Sequence, residues 1–577
     1  MKEWKPPILM SCFVLEWAIT LLFGVTVQPL AATNSGASQR PHIIYIMGDD
    51  VGWDDVSFHG SRQIPTPNLD ALAWDGVLLN GYYAQPMCSP SRAALLTGLY
   101  PIRYGLQGSA YMPPEEGLPL QLAMLPEHLK NLGYINHMVG KWHLGHSSWN
   151  HTPTMRGFDS FLGYVTGTQD YYTHVFELLG MCGFDFWFNR QLLWNASGTY
   201  TTHLLTQRAV SVINQHDVSK PLFLYIAHQA AHGINIKGHL QAPMKNIKKF
   251  SHIKNEERRL LAAVVDTLDE SVGTVVEALH AKGMLANAIL IYTSDNGAMY
   301  QGVMSNRGSN WPLRGTKFTA WEGGVHLPAF VWSPLLRRTR RVSWELMHVV
   351  DWAPTLYHAA GGDVKDLGVI DGLDQWEALS LGNPSPRQEL LINHDPTKRA
   401  GTALRVGKYK LVVGTLHNGT LDAHVNTRSD QDTPTNTDLD EVMENSAVGR
   451  TLRKYYRVSQ LPIQQGWRKE AVIDCGKDST TNFKSFRESY LFDIANDPCE
   501  LRDISQEEPK ILQHMMERLR HYESVAGPPK EDLLDYRGFP ERNNCTWSPW
   551  VGKRSSPLTR CSHESIASLA RAMLERP

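Results

Sequence analysis

Four short apolar runs in this chain end in residues that do chemistry. Residues 41–47 are followed by Asp49 and Asp50, residues 134–139 by Lys141 and His143, residues 221–227 by His228 and His232, and residues 286–292 by Asp295 and Asn296. The aspartates and the amide are hard oxygen ligands of the kind Ca²⁺ or Mg²⁺ takes. A fifth stretch, Cys88-Ser89-Pro90-Ser91-Arg92, runs into Ala93-Ala94-Leu95-Leu96-Thr97-Gly98. Pro90 followed by good helix formers puts Cys88 at or just before a helix N-terminus. Free N–H groups and positive partial charge there stabilise an anion. Each feature has an ordinary reading when taken alone. Asp49-Asp50 would be a solvated strand end, Asp295-Asn296-Gly297 a turn, Cys88 a buried structural thiol, and a lone His or Lys a structural side chain. Four strand ends that all finish in such residues are hard to explain by packing.

The elements that must position them follow from periodicity. Continuous apolar, β-branched runs of this length read as strands buried on both faces. Helical patterns lie between them at 66–75, 126–132, 202–215 and 256–280. Alternating strands and helices predict an α/β fold with a large, mostly parallel central sheet flanked by helices. In such sheets ligands bind outside the carboxyl ends of the strands. Past about residue 395 the texture changes. Residues 403–413 partly alternate like one antiparallel strand, 414–444 read as a long polar loop, 490–494 as another strand and 509–525 as an amphipathic helix. The expected organisation is a catalytic domain over 41–390 and a smaller C-terminal antiparallel sheet plus helix over 391–577, with a polar insert at about 414–485.

The chain has 577 residues, with 56 Lys+Arg against 58 Asp+Glu and a formal net charge of -2. So balanced a charge offers no basic field for nucleic acid, and a charged partner must be met locally by a pocket. No Gly-X-Y period or heptad run is present. The N-terminus places Lys2 and Lys5 before an apolar stretch that ends in small residues at Ala31 and Ala32. That order predicts a signal peptide over residues 1–32. The length of the stretch leaves an uncleaved anchor as the alternative, against which Glu16 argues. No second run of membrane-spanning length follows. Sequons at Asn150, Asn195, Asn418 and Asn544 fit export. Of seven cysteines, Cys12 leaves with the signal, and no Cys/His zinc spacing appears. Proximity favours Cys475–Cys499 and Cys545–Cys561, with Cys182 as the odd thiol.

Cys-x-Pro-x-Arg followed by Ala-Ala-Leu-Leu-Thr-Gly resembles the formylglycine signature of the type I sulfatases. Gly133-Tyr134-Ile-Asn136-His-Met-Val-Gly140-Lys141-Trp142-His143-Leu144-Gly145 resembles the second signature of that family, departing at Asn136, where Thr or Ser is usual. The resemblance covers residues 42 to about 498. It is nearest to the arylsulfatase B branch, the N-acetylgalactosamine-4-sulfatases. The closer match rests on Asn310-Trp311-Pro312-Leu313-Arg314-Gly315-Thr316-Lys317, Trp321-Glu322-Gly323-Gly324-Val325, Ser333-Pro334-Leu335-Leu336, Asp351-Trp352-x-Pro354-Thr355-Leu356 and Asn393-His394-Asp395-Pro396. His326, where Arg is usual, and Ala298, where a second Gly is usual, depart from it.

The resemblance implies an alkaline-phosphatase-like fold and one Ca²⁺ held by Asp49, Asp50, Asp295, Asn296 and the modified Cys88. It implies that a formylglycine-generating enzyme oxidises Cys88 to an aldehyde during export, and that the aldehyde hydrates to a diol nucleophile. Lys141 and Lys317 would grip sulfate oxygens, and Arg92 would hold the hydrated aldehyde. His143 would bond the diol and later act as base. His232, preferred over its rival His228, would be the general acid. The implied substrates are aryl sulfates and a 4-sulfated N-acetylgalactosamine at a glycosaminoglycan end, in the lysosome or outside the cell. The competing functions are a phosphate or phosphonate ester hydrolase of the same superfamily and a catalytically dead glycan-binding protein. The substrate rim would lie in loops at 108–117 and 147–154.

Overall fold

A computed structural model describes residues 40–107, 117–234, 240–302, 305–397, 400–414, 419–422, 437–475, 481–484, 486–530, 535–552 and 558–574. Residues 1–32, expected to be a signal peptide, Cys12, the sequon at Asn418 and most of the expected 108–117 rim lie outside the described residues.

The central sheet has ten strands. In chain order they are β1 (His42–Gly48), β2 (Val77–Leu79), β3 (Ile135–Lys141), β4 (Ser160–Tyr164), β5 (Trp187–Phe188), β6 (Gln191–Leu192), β7 (Leu222–Ala227), β8 (Ala288–Ser294), β9 (Ala329–Trp332) and β10 (Arg341–Ser343). Their spatial order is β10-β2-β9-β8-β1-β7-β3-β4-β5-β6. The five middle strands, β8-β1-β7-β3-β4, are mutually parallel. Antiparallel pairings flank them on both sides. All four apolar runs read from the sequence are in this parallel core.

Burial on both faces explains why those runs are continuously apolar. Ile44 and Ile46 of β1 face one apolar layer, and Ile43, Tyr45 and Met47 face the other. The first layer holds α1 (Pro67–Asp75), α3 (Thr201–Gln215) and α4 (Glu256–Ala281). The second holds α2 (Cys88–Thr97). The longest helix, α4, starts at Asn255, whose side chain accepts from the Arg258 amide at 2.9 Å. That contact satisfies one of the helix's free N–H groups.

The smaller sheet is antiparallel, in the order β11 (Glu389–Asn393), β12 (Thr402–Val406), β13 (Tyr409–Val413), β14 (Ser489–Asp493). Helix α6 (Pro509–Glu523) covers one face, with Met515 and Leu519 buried against Leu391, Leu404, Leu411 and Leu491. The other face packs Tyr490, Phe492 and Val412 on Trp321 and Tyr83.

Three local expectations are corrected. Residues 403–413 form a hairpin instead of one strand, turning at Gly407, which takes a φ of +54°. The stretch from 414 to 444 is not loop throughout, because Leu439–Asn445 is helical. The polar insert also does not stay with the small sheet. Helix α5 (Ala447–Tyr456) returns to the large layer, where the Val448 amide donates to Asn68 Oδ1 at 3.0 Å and Leu452 is fully buried. Arg468 pairs with Asp70 at 2.6 Å in the same region. Met443, Val448, Leu452, Leu461, Trp467 and Ala471 are the buried apolar anchors of a segment that otherwise carries charge.

Two disulfides join Cys475 to Cys499 and Cys545 to Cys561, leaving Cys88 and Cys182 as thiols among the described residues, as chain proximity suggested. The sequon residues Asn150, Asn195 and Asn544 are exposed. No helix among the described residues is long and apolar enough to cross a membrane.

Candidate active site

Strand register builds the site. On β1 and β8, Gly48 is the partner of Ser294, so the next residues along, Asp49 and Asp295, then Asp50 and Asn296, leave the sheet side by side. On the other side of β1, Met47 pairs with Ala227, and Ala227 pairs with Gly140. The end of β7 and Lys141 therefore reach the same edge. Gly140 makes this possible, because a Cβ there would lie 1.9 Å from the Ala227 carbonyl oxygen. Cys88 is the first residue of α2, whose N-terminus points at this edge.

The side chains form one buried charge cluster. Lys141 Nζ donates to Asp49 Oδ2 at 2.7 Å. Lys317 Nζ donates to both oxygens of Asp50, at 2.6 and 2.8 Å. Arg92, one turn after Cys88, donates to Asp295 Oδ2 at 2.7 and 3.1 Å and lies 3.6 Å from Asp49 Oδ1. Asn296 Nδ2 donates to Asp50 Oδ1 at 2.6 Å. His232 Nε2 lies 3.6 Å from Asp50 Oδ2, and its Nδ1 faces the Gly233 carbonyl at 2.6 Å. A carbonyl only accepts, so Nδ1 carries a proton, and Nε2 is left facing the Asp50 carboxylate. Ligand atoms of Asp49, Asp50, Cys88 and His232 all lie within 4.8 Å of one another.

Arg92 orients Asp295 and borders Asp49 rather than standing only over residue 88. Both lysines face carboxylates. Asp295 sits behind the cluster, accepting the Asp50 amide at 3.2 Å on Oδ1. His228 is excluded from the cluster. Its Nε2 meets Ser271 Oγ of α4 at 3.2 Å, and burial lowers it to about 4.

Electrostatics separate the other two histidines. Burial and Lys317 push His232 down, but Asp50 and Asp49 outweigh them and raise it above the ordinary histidine value. Burial, Lys141 and Arg92 hold His143 well below that value, so it is neutral. Burial would raise the Cys88 thiol, yet Lys141 and Lys317 overcome this and bring it down to about 5. A low value at a helix start marks a reactive position, not an inert thiol.

Second-layer groups that the sequence did not single out hold the loops. Asp50 takes a left-handed φ of +58°, and Asn306 Nδ2 donates to its carbonyl at 2.8 Å and to that of Ala231 at 2.9 Å. Ser294 Oγ accepts the Val51 amide at 3.0 Å and donates to the Asn296 carbonyl at 2.9 Å. Gly167 leaves room for the His143 ring, which a Cβ there would meet at 2.9 Å. The departures are absorbed. Ala298 hydrogen-bonds Asn310 through its amide at 2.9 Å. His326 stacks on Tyr83, with ring centroids 4.7 Å apart, and lies 3.0 Å from Glu322.

The donor set suits a hard divalent cation. Asp49 Oδ1 and Asn296 Oδ1 are buried without a hydrogen-bond partner among the described residues, although Arg92 borders the former. Two orphaned oxygens beside further carboxylates are what an oxygen-liganded ion would satisfy.

A sulfatase family model matches residues 41–362, which contain every residue of this cluster. The chain belongs to the sulfatase family. This sulfatase is 39% identical to Arylsulfatase J of Mus musculus over 539 residues, spanning 93% of this chain and 84% of that one. It is 34% identical to N-acetylgalactosamine-6-sulfatase of Mus musculus over 414 residues, spanning 68% and 76%. Among solved structures, Ps i-CgsB superposes with a TM-score of 0.65 at 26% identity, covering 85% of this sulfatase and 94% of that chain. Family and relatives together make the chain an enzyme that hydrolyses sulfate esters.

Proposed function

We propose that this sulfatase cleaves sulfate monoesters of saccharides, and aryl sulfates in vitro, at the cluster around Cys88. The natural substrate proposed is the 4-sulfated N-acetylgalactosamine end of a glycosaminoglycan. One observation carries the catalytic assignment: Cys88 stands at a helix start with its Sγ within 4.8 Å of ligand atoms of Asp49, Asp50 and His232. Asp49, Asp50, Asp295 and Asn296 would hold one Ca²⁺, which when bound would withdraw charge from a sulfate oxygen. Converted to formylglycine by a formylglycine-generating enzyme, residue 88 would supply the nucleophilic hydroxyl.

The chain's own groups do the rest. Lys141 and Lys317 are buried ammonium groups that balance the carboxylates and offer remaining N–H donors to an anion. Their charge is fixed before substrate arrives, so no solvent need reorganise. His232 carries its proton at Nε2 and delivers it to the departing oxygen. His143, neutral, takes up a proton at Nδ1, a buried ring nitrogen with no hydrogen-bond partner among the described residues. Arg92 keeps Asp295 in place. The exposed sequon residues support passage through the secretory pathway, to the lysosome or the exterior.

Sulfate release from an aryl sulfate and from 4- and 6-sulfated N-acetylgalactosamine, beside phosphate release from the matching aryl phosphate, tests the reading. Turnover of the aryl sulfate and the 4-sulfate above the other two is expected. Preference for phosphate would move the enzyme to another ester class, and preference for the 6-sulfate would overturn the positional assignment.

A further inference from the structure

Outside the catalytic cluster, a two-stranded hairpin meets the C-terminal helix. The strands are Val175–Leu178 and Met181–Phe184, joined by a turn in which Leu179 and Gly180 both take positive φ. In this register Glu177 is the direct cross-strand partner of Cys182. Directly opposed residues project from the same face of a hairpin, with Cβ atoms about 5 Å apart. The helix α7 (His563–Leu574) begins against that face. His563 Nε2 lies 3.5 Å from Glu177 Oε2.

We propose that Glu177, Cys182 and His563 form a Zn²⁺ site that clips the C-terminal helix to the hairpin. Ligand atoms of the three side chains lie within 4.8 Å of one another. Bonds of about 2.0–2.3 Å to a tetrahedral ion put neighbouring ligand atoms roughly 3.4–3.7 Å apart. The His563–Glu177 separation already has that value. One thiolate, one imidazole and one carboxylate select a borderline ion such as Zn²⁺ over Ca²⁺ or Mg²⁺, which prefer oxygen alone. Three protein ligands leave the fourth position to water.

The surroundings favour a built site over a chance meeting. Cys182 is buried at 6% exposure, whereas the His563 side chain is 52% exposed, so the thiol forms the floor and an ion can enter beside the imidazole. The chain just before His563 is anchored independently. Cys561 is bonded to Cys545, and the Cys545 carbonyl accepts the Phe184 amide of the hairpin at 2.8 Å. Much of the entropy of bringing His563 to the hairpin is thereby removed before an ion binds. Binding would displace the Cys182 proton to solvent and leave the thiolate on the metal. Burial, Glu177 and Glu541 push the free thiol up to about 11, so Cys182 holds its proton until a cation displaces it.

The test uses the full secreted protein with Ca²⁺ present, titrated with Co²⁺ as a spectroscopic stand-in and then with Zn²⁺ as competitor. A thiolate-to-cobalt charge-transfer band is expected. It should be displaced by Zn²⁺, retained in Cys88→Ala, lost in Cys182→Ser, and at least tenfold weaker in apparent affinity in His563→Ala. Should Cys182→Ser fail to be secreted, His563→Ala decides, because its side chain is exposed at a helix start. No band in the wild-type protein, a band unchanged in His563→Ala, or one lost in Cys88→Ala would overturn the proposal.

Discussion

Lys317 and Asp50 form a two-point ion pair in the interior, with Nζ 2.6 and 2.8 Å from the two carboxylate oxygens and neither side chain more than 2% exposed. The pair joins the end of β1 to a residue 267 positions away. It ties the loop that follows Asn310 to the floor of the catalytic cluster.

Lys317→Ala should therefore act on both folding and turnover. Removing one partner of a buried pair leaves an uncompensated charge and costs about 3–5 kcal/mol. A drop in melting temperature, with sulfate release reduced at least roughly a hundredfold per folded molecule, is the expected outcome. An unchanged melting temperature would mean that Asn296 and His232 compensate Asp50 alone.

Asp295 should be needed for the metal as well as for turnover. Asp295→Ala frees Arg92, which would then compete for Asp49. Calcium content measured on the purified variant should fall below one ion per chain, and chelation of the wild-type protein should abolish sulfate release until Ca²⁺ is restored. Full activity after exhaustive chelation would remove the metal from the mechanism.

The two neighbouring histidines should behave oppositely. His232→Ala is expected to lose about 10²–10⁴ in kcat, the usual worth of a general acid. His228→Ala should keep its kcat within about threefold and lose stability instead, since its ring is packed in the core against Ser271. Steady-state kinetics beside thermal melts separate the two. A catalytic loss in His228→Ala matching that of His232→Ala would reverse the assignment.

The Glu500 carboxyl should add stability in acid. Glu322 and Glu500 share Lys410, whose Nζ lies 2.7 and 2.8 Å from them. Burial pushes Glu500 up to about 7 against the pull of Lys410. A carboxyl that binds its proton more tightly when folded gives stability that is greatest at low pH and declines as pH rises from the unfolded value towards 7. Glu322 is held low despite burial, by Lys410 first, so its contribution is lost only in stronger acid. Relative to the wild type, Glu500→Gln should therefore gain melting temperature as pH rises from 5 to 7.5, since the buried histidines contribute equally to both proteins. An unaltered pH dependence in the variant would place its origin elsewhere.

The parts legible in the sequence were those set by one local rule. A short, nearly continuous apolar run rich in β-branched residues reads as a strand covered on both sides, so β1, β7 and β8, and more weakly β3 with its Asn136 and His137, were readable with the residues at their ends. The start of α2 was readable from Pro90. The hairpin of β12 and β13 was read as one strand because its turn is only Gly407-Lys408 between two alternating segments. Helix α5 escaped notice because Arg450, Arg453 and Lys454 dominate its sequence, while its docking depends on Asn68, about 380 positions away. Asn306 has the same difficulty. Asn-Arg-Gly reads as a turn, and its task of holding the Asp50 and Ala231 carbonyls exists only once three distant loops meet. The sharing of carboxylates among Arg92, Lys141 and Lys317 was also beyond spacing, because it depends on which ammonium group reaches which oxygen.

The account rests on Cys88 as the position of the nucleophile, and sulfate release from an aryl sulfate by the full chain, beside Cys88→Ala, tests that most directly. With equal folded protein and Ca²⁺ present, the wild-type enzyme should turn over while Cys88→Ala shows no sulfate release above the uncatalysed rate. Turnover by Cys88→Ala within tenfold of the wild-type rate would contradict the account.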